Sequence, residues 1–184
     1  MKKSILIAAL LLAASLPVQA VTYTKVDPGK STMIFVSKQM GVAVDGRFKR
    51  FSTTLRFDPS TPEKSQAELA IDLASVDTGV PEADEEVVGK DWFDVARYPQ
   101  ATFVSRSVKA LGGGRFEAVG ELTVKGTTHP VTAPFTVREA GGRAIIEGSL
   151  TILRGDYAVG SGAWADYGTV ANEVILKFRV EAMP

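Results

Sequence analysis

Gly89–Ser107 reads Gly-Lys-Asp-Trp-Phe-Asp-Val-Ala-Arg-Tyr-Pro-Gln-Ala-Thr-Phe-Val-Ser-Arg-Ser. It leads from a helical segment into a strand. Pro99 cannot sit inside a helix, and it biases Tyr98 towards extended backbone. From Ala101 the residues alternate, with Ala101, Phe103 and Ser105 on one face and Thr102, Val104 and Arg106 on the other, the period of a strand. Upstream, Pro81 followed by Glu82, Asp84, Glu85 and Glu86 carries helix N-terminal signals, because proline suits the first turn and acids suit its positive end. Gly89 is a plausible cap at the other end. These signals predict one short helical insertion over about residues 81–98, closing or covering one end of what the strands build.

Working outward, nearly every other segment is strand-like. Ser31 to Lys38 is β-branched and aromatic, and Gly41 to Gly46 reads as a bend or weak strand. Arg47 to Phe57 is a strand whose phase slips between Phe48 and Phe51, the mark of a bulge or bend. Ala67, Leu69, Ile71 and Leu73 share one face of the next strand. Ser105–Ala110, Arg115–Val124 and His129–Arg138 follow, separated by Leu111–Gly114 and Lys125–Thr128 turns. Pro130 and Pro134 push the third of these towards an edge or bulge. Arg143–Leu153 and Asn172–Ala182 are the last long strands, with a glycine-rich aromatic loop from Arg154 to Ala165 between them. The spacing predicts a mainly β, antiparallel, lipocalin-like barrel of about eight strands. A β-sandwich is the structural alternative.

Lys2 and Lys3, an apolar run from Ile5 to Leu16, and Val18-Gln19-Ala20 have the form of a secretory signal peptide cleaved after Ala20. The expected destination is the periplasm, with residues 21–184 as one domain. Without Lys2 and Lys3, the 21 basic residues become 19 against 21 acidic. That balance offers neither the basic stripe of a nucleic-acid binder nor a polybasic membrane tether. The chain contains 0 Cys, so the core must hold the fold without disulfides.

Thiol nucleophiles, zinc knuckles and iron–sulfur ligation are excluded by the same count. His129 is the 1 histidine. Beside Thr127, Thr128 and Pro130 it reads as the end of a solvent-exposed turn rather than a base or ligand. The acids Glu82, Asp84, Glu85 and Glu86 lack the spacing of a calcium loop and read as a solvated helix face. Asp91 and Asp94 read as caps and turn residues.

Five blocks, in order and spacing, resemble the YceI-like family of periplasmic, lipocalin-like proteins that bind polyisoprenoid lipids. They are Gly46-Arg47-Phe48 with Leu55-Arg56-Phe57-Asp58-Pro59; Ser75-Val76-Asp77-Thr78; Trp92-Phe93-Asp94 with Tyr98 to Ser105; Gly120 to Val131; and Arg154-Gly155-Asp156-Tyr157. The resemblance spans residues 27–182. The chain departs from the family's common pattern at Lys30-Ser31, Trp92-Phe93 and Asp156-Tyr157-Ala158, and in the helix from Glu82 to Gly89.

The resemblance implies a non-enzymatic carrier that holds an isoprenoid lipid or isoprenoid quinone, with no cofactor. Phe35, Phe48, Phe93 and Phe103 are the expected apolar lining. Trp92, Arg154, Tyr157 and Trp164 are expected at the mouth, with a structural clamp as the alternative for Arg154. A homodimer and a membrane redox partner are compatible with this reading. Two other readings compete: an interaction module with a filled core, and a small barrel enzyme acting on a bound lipid through His129.

Overall fold

The computed structural model describes residues 21–184. Residues 1–20, which read as a signal peptide in the sequence, lie outside the described residues. The strands are β1 (Lys25–Val26), β2 (Thr32–Gln39), β3 (Val42–Phe48), β4 (Phe51–Arg56), β5 (Gln66–Asp72), β6 (Val76–Asp77), β7 (Gln100–Gly112), β8 (Arg115–Val124), β9 (Thr127–Ala140), β10 (Arg143–Leu153) and β11 (Glu173–Met183). They form one antiparallel ladder, β4-β5-β7-β8-β9-β10-β11-β2-β3-β6, with β1 added on β11. Its near ends, β4 and β3, are consecutive in the chain, separated by Lys49 and Arg50. The sheet therefore curls back on itself. Counting β3 and β4 as one bent strand gives a wall of eight strands, with β6 extending the β3 edge.

The corner between β3 and β4 explains the phase slip. Val44, Gly46 and Phe48 face inward before it, and Phe51, Thr53 and Leu55 after it, so the even positions hand over to the odd. The freed backbone groups are satisfied by Ser75, which is fully buried. Lys49 N–H donates to the Ser75 carbonyl at 3.0 Å, and Arg50 N–H donates to Ser75 Oγ at 2.9 Å. Ser75 Oγ–H donates in turn to the Asp72 carbonyl at 2.6 Å. Arg47 pairs with Asp77 and Arg50 with Asp72 at the rim.

Alternation is cleanest in β8, where Phe116, Ala118, Gly120, Leu122 and Val124 are buried and their neighbours are not. The prolines of β9 have a visible effect. Their strand pairs with β8 from Thr127↔Val124 to Thr136↔Arg115, but its ladder with β10 runs only from Ala140↔Arg143 to Phe135↔Gly148. Among the described residues, Thr127–Pro134 and Ser149–Leu153 do not pair with each other, and both prolines stand in that seam.

Several expectations are corrected. The helix is α1 (Pro81–Val88) and ends there. Residues 90–97 are turns, because Asp94 adopts φ +51 and the N–H groups of Phe93 and Val95 return to the Val87 and Val88 carbonyls. Of the two readings of Gly41–Gly46, a bend or a weak strand, the strand holds: it is part of β3, and Val42 to Phe48 register fully with β2. Arg47 to Phe57 is broken at the corner. His129 is not at a turn: it lies within β9, half-buried, directly opposite the inward residue Leu122. Its Nε2 is 3.0 Å from the Asp156 carbonyl, and its ring meets Tyr157 edge-on. No helix among the described residues is long and apolar enough to cross a membrane.

Candidate functional site

The barrel is not filled. A cavity of about 610 Å³ lies under α1 and the 90–98 turns, and a second of about 170 Å³ continues towards the other end. They meet at a waist made by Phe48, Ile71, Leu122 and Leu176, which line both. The larger volume falls in the range of about 300–1,000 Å³ usual for small-molecule sites. The far end is closed by aromatic rings. Phe57 meets Phe116 edge-on at 5.3 Å, Phe116 stacks on Phe135 at 5.5 Å, and Tyr23 is almost wholly buried nearby, bridged to Phe57.

The four expected lining residues all reach these cavities. Phe35 and Phe93 face the larger, Phe103 the smaller, and Phe48 both. Phe48 ties two of them together, with ring centroids 5.5 Å from Phe35 and 6.1 Å from Phe93. The ring of Phe103 covers Gly120 on the neighbouring strand, while Phe35 covers Gly46 and Phe178 covers Gly148.

Trp92, Arg154, Tyr157 and Trp164 also line the larger cavity, but their roles differ. Trp92 and Trp164 lie with ring centroids 5.5 Å apart, and Trp164 Nε1–H donates to the α1 residue Glu86 at 2.7 Å. Tyr157 is buried, and desolvation first, then the charge of Asp156, pushes its pKa up. Arg154 is only 2 % exposed and is not a free mouth residue. Its guanidinium donates to five carbonyls, those of Val159, Gly160, Trp164, Val170 and Ala171, at 2.8–3.1 Å. A guanidinium has five N–H donors, so none remains for a ligand. Burial lowers its pKa, but a guanidinium stays charged. It is a clamp that folds the 154–172 loop onto the barrel end, the alternative reading of that residue.

The loop is fixed from the other side by Asp91, whose carbonyl accepts from Gly160 and Ser161 N–H at 2.9 and 2.7 Å. Lys125 Nζ ties the same region together by donating to the carbonyls of Lys90 and Ala158, both at 2.9 Å. Desolvation, its largest influence, lowers the Lys125 pKa, against the pull of Asp94 and Asp91.

The mouth is marked by cavity residues that also reach solvent. Val44 and Val80 are both exposed, with exposed Met40 and Val42 on the adjoining hairpin. Polar side chains at this wall are Gln39, Thr78, Glu82 and Glu86. Ser37 Oγ, on the residue paired with Val44, and Trp92 Nε1 at the larger cavity, and Thr53 Oγ1 at the smaller, are buried without a hydrogen-bond partner. Sequence reasoning missed the waist and the mouth. Leu122 and Leu176 could have been found, because strand alternation places them on the same faces as Phe116 and Phe178. Val44 and Val80 could not, since only the folded position of α1 brings them together.

A family model described as the YceI-like domain matches residues 24–182. A UPF0312 protein of Pseudomonas savastanoi is 34% identical over 122 residues, 63% of this chain and 64% of that protein, so the match spans under two thirds of the relative's length. A UPF0312 protein of Ectopseudomonas mendocina is 33% identical over 144 residues, 75% of this chain and 73% of the relative. Among solved structures, BcnA of Burkholderia cenocepacia superposes with a TM-score of 0.84 at 43% identity, covering 86% of this chain and all (100%) of that one. A polyisoprenoid binding domain from Saccharophagus degradans shares the fold, with a TM-score of 0.68 at 20% identity over 90% of this chain and 99% of that one. With an eight-stranded antiparallel wall, one short helix over its end and a family match along almost all of the described residues, the chain belongs to the YceI-like domain family.

Proposed function

We propose that this protein is a periplasmic carrier that holds a long isoprenoid lipid, or a quinone with an isoprenoid tail, inside the barrel without chemically changing it. The observation that carries the reading is the pair of apolar cavities meeting at the Phe48–Ile71–Leu122–Leu176 waist. A flexible hydrocarbon suits such a shape. Each five-carbon unit moved out of water gains about 4 kcal/mol at roughly 0.8 per carbon group, and ordering the chain cancels part of that. The description of the Saccharophagus neighbour as a polyisoprenoid binding domain supports the same ligand class.

The charges at the mouth favour a neutral head group. Arg154 has no donor left, and Glu82 and Glu86 line the same wall. A phosphate or diphosphate would meet carboxylates there, whereas a quinone or alcohol oxygen would not. The unpartnered Ser37 hydroxyl is the donor assigned to that oxygen. The filled-core alternative fits poorly with a 610 Å³ cavity. The enzymatic alternative rests on His129, whose ring is occupied by the Asp156 carbonyl and Tyr157.

The test is mass spectrometry of an organic extract of the protein purified from the periplasm without detergent. A stoichiometric isoprenoid or prenyl quinone is expected. Protein that emerges empty and takes up no added isoprenoid would overturn the reading.

A further inference from the structure

Three inward-facing positions of the barrel wall are glycine, and each lies beneath a phenylalanine ring from the next strand. Gly46 of β3 is registered with Phe35 of β2, and Gly148 of β10 with Phe178 of β11. Gly120 of β8 lies two residues from Leu122, the partner of Phe103 in β7. A β-carbon at Gly46 would lie 2.8 Å from Cε1 of Phe35, and one at Gly120 would lie 2.6 Å from Cζ of Phe103. One at Gly148 would overlap the Phe178 ring. None of the three has a positive φ, so the backbone does not require glycine. What requires it is the ring lying flat against the wall.

The consequence concerns the cavity rather than the sheet. A flat ring covers its strand and leaves the middle of the barrel open, while an upright ring would cross it. Phe35 faces the larger cavity, and Phe103 and Phe178 the smaller. The wall side of Phe35 is closed if Gly46 gains a methyl, and Phe48 already packs beside it. The space left for the displaced ring is the cavity itself. We infer that the Gly46–Phe35 pair, with Gly120–Phe103 and Gly148–Phe178 behind it, sets the length of chain the barrel accepts. This rests on the carrier reading and adds the residues that determine specificity within it.

Gly46 is the cleanest place to test. At Gly120 and Gly148 a methyl would also press on the carbonyls of Val104 and Pro134 at 2.5 Å, and would disturb the ladder itself. At Gly46 the nearest backbone atom is the Asp77 carbonyl at 3.1 Å. The 2 tryptophans of the chain, Trp92 and Trp164, both line the larger cavity, so intrinsic fluorescence reports its occupancy. The probes are farnesol, geranylgeraniol and solanesol, titrated into wild type, Gly46→Ala, Phe35→Leu and the double variant.

Gly46→Ala is expected to lose affinity for solanesol by about tenfold or more, the usual scale of a steric mismatch in an apolar pocket, and to retain farnesol. Phe35→Leu in the Gly46→Ala background restores solanesol. If Gly46→Ala does not fold, Phe35→Leu alone decides, because opening the wall should raise solanesol affinity relative to farnesol. Wild-type protein that binds none of the three overturns the carrier reading and this inference with it. Wild type that binds them, with the same chain-length profile in Gly46→Ala and Phe35→Leu, overturns the inference alone.

Discussion

The guanidinium carbon of Arg154 lies 5.5 Å from the centre of the Trp92 ring, and 4.9 Å from that of Tyr167. The cation is thus held against aromatic faces while its edge serves five backbone carbonyls. A buried charge without a carboxylate partner is unusual, and here the carbonyl dipoles and rings supply the compensation.

This predicts that Arg154 is needed for stability even when charge is kept. Arg154→Lys presents three donors to five carbonyls and leaves some of them orphaned. With two carbonyls orphaned at about 1–3 kcal/mol per buried unsatisfied group, the loss should be about 2–6 kcal/mol, visible as a lowered Tm. A Lys variant within about 1 kcal/mol of wild type would contradict the clamp.

The waist offers a second test. Leu176→Trp should block the passage between the two cavities and weaken binding of the longest isoprenoids about tenfold, while short ones still bind in the larger cavity. Overpacking should cost about 1–3 kcal/mol of stability. Equal binding of short and long chains by that variant would mean that ligands do not pass Leu176.

At the strand corner, Ser75→Ala should destabilise the barrel by about 1 kcal/mol, because the part-buried hydrogen bond from Arg50 N–H loses its acceptor. The midpoint of urea unfolding measures this. An unchanged midpoint would show that the corner closes without the hydroxyl.

A pH dependence follows from Tyr23. Burial, then the hydrogen bond and charge of Glu139, push its pKa from 10.0 to about 12. The folded state therefore favours the neutral phenol more than the unfolded state does. Its contribution is complete below pH 10 and is lost as pH rises towards about 12. Across that window wild type should lose about 2–3 kcal/mol relative to Tyr23→Phe, at 1.36 kcal/mol per pKa unit. Chemical unfolding of both proteins at pH 9 to 12 reads the difference. A constant gap across that range would remove the effect.

Much of the architecture is legible in residue alternation, and the reasons it fails are local. The stretch from Arg115 to Val124 is strand β8 from end to end, because one face is buried along its whole length. The step from Phe48 to Phe51 is readable as a bend, since a shift in phase cannot be absorbed by a straight strand. Gly41–Gly46 stays open between a bend and a weak strand in the sequence, because the pairing with β2 that decides for the strand is a tertiary effect. Residues 90–97 look helical beside α1, yet the positive φ of Asp94 ends that course. At the site, shared strand faces point to Phe35, Phe48 and Phe103. Arg154 is ambiguous until its five acceptors are seen, because they come from a loop folded back by tertiary contacts.

The seam between β9 and β10 has a consequence for how this protein survives at high concentration. Strand edges without partners are templates on which a second molecule can add a strand. Here, the β9 side of the exposed edge carries Pro130 and Pro134, which have no N–H to offer an incoming strand. A barrel with an incompletely zipped wall therefore keeps that side a poor seed for intermolecular sheet growth, and replacing both prolines would turn it into an aggregation site.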